Sequence, residues 1–283
     1  MAFSAPSQRR VRLGEALRRA REALELTQAE VAAKLERSQN YVARLEQAKA
    51  QRIKIGELDS LLEVLGISGD NAEILRGHAR SKYSESGFWP ESSDNSNWWE
   101  QHPEIESRAS VIRIFQPTLI NRLFQTPSYM RRVFELSGAN DVEKRVQARL
   151  DRQKLILGQE TPPRVAVLLG EASLHDHLGD PVMMRGQLEH LLELSRNSEH
   201  LTVLVRPFGA KTPPVELTWT SWQFSNSFMS DFASIPYPGG SRTVDDPQSM
   251  LLLQHLWEEL CSGGASPHET REILERHLDA INR

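Results

Sequence analysis

The chain has 283 residues, 39% of them apolar and 25% charged, with one cysteine and a net charge of −4. That is long enough for two ordinary domains, while a lone cysteine excludes an internal disulfide framework and a Cys-rich zinc site. No run approaches the roughly 18 consecutive apolar residues of a membrane span, and MAFSAPSQRR has no apolar run behind its charges, so a cytoplasmic protein is expected. Charge is unevenly spread. Residues 1–54 hold 12 Lys+Arg and 6 Glu, a balance of +6, which leaves −10 on the remainder. A basic head on an acidic body points to a polyanion as the partner of the head.

The spacing of Leu13, Leu17 and Leu24 with Ala16 and Ala20 predicts a first helix over 11–24. Thr27-x-x-Glu30 is a capping-box pattern that opens a second, with Val31 and Leu35 on its apolar face. Ser38 is a good N-cap for a third, whose Val42 and Leu45 turn inward. Only Glu36 and Arg37 lie between the second and third, so the pair reads as a helix-turn-helix. On the third helix Ser38, Gln39, Asn40, Arg44 and Gln47 then point outward, a set able to read base edges: Gln and Asn pair with adenine, Arg with guanine. Gln28, Arg37, Lys49 and Arg52 are the expected phosphate contacts. KIGELDSLLEVLGI (54–67) predicts a fourth helix, and roughly Asp70–Tyr83 a fifth.

Residues 11–67 resemble the Xre/Cro-type helix-turn-helix of bacterial and phage repressors, through Leu-Thr-Gln-Ala-Glu and Ser-Gln-Asn-Tyr-Val-Ala-Arg-Leu-Glu. The resemblance implies a lambda-repressor-like domain of five helices and a structural pair between Arg21 and Glu46. Where that family commonly has Gly, this chain has Glu36 and Ala48, which pushes a non-glycine residue toward positive φ at a cost of about 1 kcal/mol.

SKYSESGFWPESSDNSN (81–97) reads as a linker, giving domains at 1–83 and 98–283 around a linker at 84–97. In the body, helices are expected at roughly 98–109, 127–136, 141–157, 171–178, 181–195, 246–260 and 267–281. Strands are expected at 164–169, 201–208, 216–224 and near Phe232–Pro236, with VIRIF (111–115) a strand or helix end; Gly239-Gly240 reads as a turn. The mixture predicts an α+β domain. FQPTLINRLFQTPSYMRR (115–132), RLDRQ (149–153), LLGEASLHDHLG (168–179), VMMRGQLEHLLELS (182–195) and LTVLVRPFGA (201–210) resemble the C-terminal domain of actinobacterial Xre-type regulators described as antitoxin-like. That resemblance implies a regulator whose body binds a small neighbouring-gene protein.

The aromatics Trp219, Trp222 and Phe224 are candidates for a ligand pocket or partner surface, against the plainer reading of core aromatics. Glu171, His175, Asp176 and His177 lack the ligand spacing of a metal site, and Cys261 has no nucleophile signature. No catalytic residue, metal or cofactor is therefore assigned. The expectation is a DNA-binding transcriptional regulator, a repressor or autoregulator, bound as a homodimer to a pseudo-palindromic duplex. The alternatives are a small-molecule-responsive regulator and, more distantly, an enzyme.

Overall fold

A computed structural model describes residues 8–50, 53–80, 106–225, 229, 231–237 and 240–282. The expected linker, Arg52, Gly239, residues 81–83 of the expected fifth helix and the 98–105 part of the next lie outside them. The chain forms two units: Met1–Ser96 with Phe224–Asp231 and Thr243–Asp246, and Asn97–Gln223 with Phe232–Arg242 and Pro247–Arg283. No helix among the described residues is long and apolar enough to cross a membrane.

Five helices build the head: α1 (Gln8–Ala23), α2 (Gln28–Lys34), α3 (Gln39–Glu46), α4 (Ile55–Val64) and α5 (Gly69–Arg80). Their apolar faces meet in one core, with Leu17, Val31, Val42, Leu58, Leu61, Leu62 and Leu75 all buried. Helices α1 to α4 close in the same way. The second residue past each helix end takes a left-handed conformation, at Glu25 (φ 55), Glu36 (φ 53), Ala48 (φ 57) and Gly66 (φ 65). The amide after it then returns to the helix: Arg37 N donates to Ala32 O (2.9 Å) and Lys49 N to Arg44 O (2.8 Å). These are Schellman closures, and only α4 places glycine where the backbone favours it. The two positions where Gly was expected by resemblance thus do carry positive φ. Glu36 is exposed, so Glu36→Gly is expected to stabilise the head by about 1 kcal/mol. Chemical denaturation of the two chains measures this, and a loss of stability would show that the Glu36 side chain contributes more than the strain costs.

The body is a six-stranded mixed sheet with helices. Its strands are β1 (Val111–Gln116), β2 (Arg164–Gly170), β3 (Leu201–Arg206), β4 (Trp219–Gln223), β5 (Phe232–Tyr237) and β6 (Gly240–Val244), in the order β3-β2-β1-β4-β5-β6. β1, β2 and β3 are parallel, and β4 is antiparallel to β1 and β5. Helices α6 (Pro127–Leu136) and α7 (Val142–Leu157) join β1 to β2. The short α8 (Ala172–His175) and α9 (Pro181–Asn197) join β2 to β3; α10 (Pro247–Ser262) and α11 (Pro267–Ile281) close the chain. Right-handed crossovers place α7 and α9 on one side of the sheet. The opposite face (Phe115, Leu168, Trp219, Ala233) is covered by Leu253, Trp257 and Leu260 of α10. The outer edge of β3 is also occupied: Val205 N donates to Thr270 Oγ1 and Val205 O accepts from Ala265 N. This protects the edge from pairing with another chain.

Two expectations for the body change, and one is narrowed. VIRIF is a strand. The helix expected at 171–178 spans only Ala172–His175, because Leu178 (φ 50) and Gly179 (φ 75) turn the chain left-handed. Gly240 begins β6 rather than belonging to a turn alone; GSRTV carries no alternating apolar pattern to announce a strand.

Candidate nucleic-acid interface

Thr27 closes its capping box, its hydroxyl accepting from Glu30 N (3.2 Å) while its amide donates to the Glu30 carboxylate (2.7 Å). Ser38 caps α3 by accepting from Tyr41 N at 3.3 Å. With both ends set and Val42 (2% exposed) and Leu45 (6%) in the core, the helix has one rotation available. Ser38, Gln39, Asn40, Arg44 and Gln47 are exposed on its other side. Ser38 accepts one bond as the cap, and its O–H remains able to donate to a base.

Behind that face stands a buried ion pair. Arg21 Nε donates to Glu46 Oε1 (2.6 Å), Nη2 to Oε2 (2.9 Å), and Nη1 to Leu26 O (2.8 Å). The Glu46 side chain is 4% exposed, and its hydrogen bond holds the Arg21 pKa above its usual value. Planar bidentate pairing fixes α3 against α1. α1 comes this close because of Gly14, whose missing Cβ would lie 2.5 Å from Glu46 O and 2.6 Å from Leu45 O.

The expected phosphate contacts sit differently from one another. Lys49 is exposed. Gln28 is half-buried and its Nε2 donates to Glu46 Oε2 (2.8 Å), which leaves one amide hydrogen for an anion. Arg37 is tied at the turn, Nη2 donating to Glu57 Oε1 (3.0 Å), with its guanidinium 5.9 Å from the Tyr41 ring centre. Tyr41 donates to the other Glu57 oxygen (3.2 Å), and burial, then Glu57, pushes its pKa up to about 12. Sequence reading missed Glu57; its position in the first turn of α4 was the available signal, since an acid there favours the helix dipole.

In the body, two of the aromatic candidates are core residues. Trp219 (1% exposed) and Trp222 (0%) lie in the cores on opposite faces of the sheet, because the strand alternates them. Trp219 packs on Phe115 with ring centres 4.9 Å apart, and Trp222 stacks on Phe232 at 4.6 Å. Both side chains are closed off from solvent. Phe224 is half-buried, its amide donating to Asp231 (2.9 Å).

The side chains in the motif stretches are clamps. Gln187 Nε2 donates to Phe124 O (2.7 Å) while its Oε1 accepts from Thr126 N (2.7 Å). Gln153 Nε2 reaches Arg122 O and Gln125 O, and Gln125 Nε2 reaches Ile120 O. Arg149 donates to Gln125 Oε1 (2.8 Å) and lies 4.1 Å from the Phe134 ring centre. Buried Arg152 donates to Glu106 Oε2 (2.7 Å), whose Oε1 accepts from Trp222 Nε1 (3.0 Å). A Cβ on Gly170 would collide with the Pro117 carbonyl. Glutamine suits this task, since one amide satisfies both a carbonyl and an N–H of an irregular segment.

Glu171 accepts from Phe208 N (2.7 Å) and lies 3.4 Å from His277 Nε2, with the His175 ring 5.9 Å from that of His277. Burial lowers the His277 pKa. Among the described residues no group of three or more His, Cys, Asp or Glu could hold a metal ion. Burial pushes the Cys261 thiol up to about 11, away from thiolate chemistry.

A family model described as "Helix-turn-helix domain" matches residues 12–75. One described as "Domain of unknown function (DUF5753)" matches residues 99–276, more than half of the chain. The chain belongs to the DUF5753 family. No curated protein matches it. The helix-turn-helix domain suggests DNA binding and transcription regulation, and with it a non-enzymatic role. The function of the DUF5753 domain is unknown. The motif residues of this DUF5753 chain, Gln125, Arg149, Arg152, Gln153 and Gln187, are those that hold the irregular 120–126 segment and Glu106 in place.

Proposed function

We propose that the chain is a sequence-specific transcriptional regulator of the Xre type, a repressor or autoregulator acting as a homodimer on a pseudo-palindromic operator. The observation that carries this reading is the outward row of Gln39, Asn40, Arg44 and Gln47 on a helix whose rotation is set by its cap, its core residues and the Arg21–Glu46 pair. Arg44 reads a guanine, Gln39 and Asn40 read adenines, and Gln47 and Ser38 support them. Lys49, Arg37 and Arg52 hold phosphates, with Gln28 oriented by Glu46. A single head covers too few base pairs to find one site in a genome, so two half-sites about 34 Å apart, or a multiple of that, are expected. The domain limits are 1–83 and 98–283 around a linker at 84–97. The body binds a small partner protein, antitoxin-like, as the resemblance of its motif stretches implies.

Selection of bound duplexes from random DNA tests the reading. The wild-type chain is expected to enrich an inverted repeat. Arg44→Ala is expected to lose preference at one base pair in each half-site, worth about 1–3 kcal/mol of discrimination. An unchanged preference in Arg44→Ala removes Arg44 from the reading face, and no enrichment by the wild-type chain overturns the proposal.

A further inference from the structure

We infer that Glu57 is a positioning residue for DNA discrimination: it holds Arg37 off the phosphates of a random duplex and yields it to the operator. Glu57 is the third residue of α4. From that place in their own helices Glu30 and Glu269 turn back to the N-cap amides of Thr27 and Ser266. The N-cap of α4 is Lys54, which has no side-chain oxygen to complete such a box. Glu57 reaches across to the turn instead. Its Oε1 accepts from Arg37 Nη2 (3.0 Å) and its Oε2 from the Tyr41 hydroxyl (3.2 Å), so both oxygens are held by the segment that opens α3. With its pKa raised to about 12, Tyr41 stays a donor through neutral pH.

Arg37 directly precedes Ser38, the cap of the reading helix, and half of its side chain is in water. Among the described residues it gives one hydrogen bond, to Glu57, and its other N–H groups can meet a phosphate. An exposed pair of this kind is weak, so a phosphate can displace the carboxylate. While the pair stands it has no net charge, and a neutral pair releases no counterion from a duplex. The exchange needs a duplex held against the turn. On an operator the base contacts of Gln39, Asn40 and Arg44 hold it there; a random duplex lacks them. The inference rests on the DNA reading above and adds the residue that separates operator from random sequence.

Fluorescence anisotropy of the full chain on a random duplex and on the selected operator, across a range of salt, tests it. Glu57→Gln keeps the shape and an acceptor for Tyr41 and removes the charge. On the random duplex its plot of log K against log salt is expected to be steeper than that of the wild type by about 0.9, a further loss of about threefold between about 50 and 200 mM salt. On the operator the two slopes are expected to agree. In an Arg37→Ala background, Glu57→Gln is expected to change neither. A merely structural Glu57 would lower the melting temperature and leave every slope as it was. Equal slopes on the random duplex, steepening on both duplexes alike, or steepening that survives Arg37→Ala overturns the inference. The DNA reading is scored separately. An enriched operator with equal random-duplex slopes sinks only the role of Glu57. If no operator is enriched, the reading sinks, and the random-duplex slopes still decide whether Glu57 withholds Arg37.

Discussion

Replacing Arg152 by alanine is expected to destabilise the C-terminal domain by about 3–5 kcal/mol, the cost of breaking a buried pair from one side. Glu106 is 3% exposed and Arg152 8%, and the two oxygens of Glu106 are shared between Arg152 and the indole N–H of Trp222. Removing the guanidinium leaves a buried carboxylate with no charged donor from Arg152, beside the neutral indole N–H of Trp222. The pair ties the start of the domain to α7 and β4, so its loss loosens the layer behind the sheet rather than one contact. Unfolding followed by tryptophan fluorescence reads it, because Trp219 and Trp222 are both buried there. Arg152→Leu combined with Glu106→Gln is expected to regain most of the loss: no charge remains buried, and the glutamine carbonyl still accepts from Trp222. If the alanine variant lost under about 1 kcal/mol, the interior would be supplying a substitute donor and the clamp assignment would fail.

Gly14→Ala is expected to cost about 1–3 kcal/mol and to lower DNA affinity, although a glycine-to-alanine change inside a helix ordinarily gains up to about 1 kcal/mol. The sign reverses because the added methyl meets backbone, Glu46 O at 2.5 Å and Leu45 O at 2.6 Å, and backbone cannot rotate aside. α1 must move off α3. The Arg21–Glu46 pair crosses the same contact, so it stretches too, and Gln28 loses the fixed carboxylate that orients it. A stabilised variant with unchanged DNA affinity would show that the two helices have room to separate. Gly56, which has open space around it, is the control: there alanine is expected to gain the ordinary helix increment.

Both changes involve partners far apart in sequence, and this divides what could be read from the chain alone. Helix starts were legible because a cap is a local device. Thr27 with Glu30, and Ser38, each declare a helix within four residues, and the structure closes both caps. The rotation of α3 was legible for the same reason, since Val42 and Leu45 choose the buried side by period alone. For Trp219 and Trp222 the sequence left two readings open, core aromatics and a ligand or partner surface. Whether both faces of a strand are covered depends on helices more than twenty positions away, and here α10 covers the side of Trp219.

Beyond that range the sequence carries residues but not their meetings. Nothing local to Glu106 announces Trp222, 116 positions later, and nothing local to Gly14 announces the carbonyl of Glu46. GSRTV became β6 without any apolar alternation, and Gln28 became a donor to Glu46, 18 positions away. Capping, periodicity and charge act over a few residues, so the two-part organisation, the helix-turn-helix and the side chains on its outer face could be read from the chain. Which polar side chains became clamps and which aromatics became core could not, because both depend on the path by which distant segments are brought within hydrogen-bonding distance.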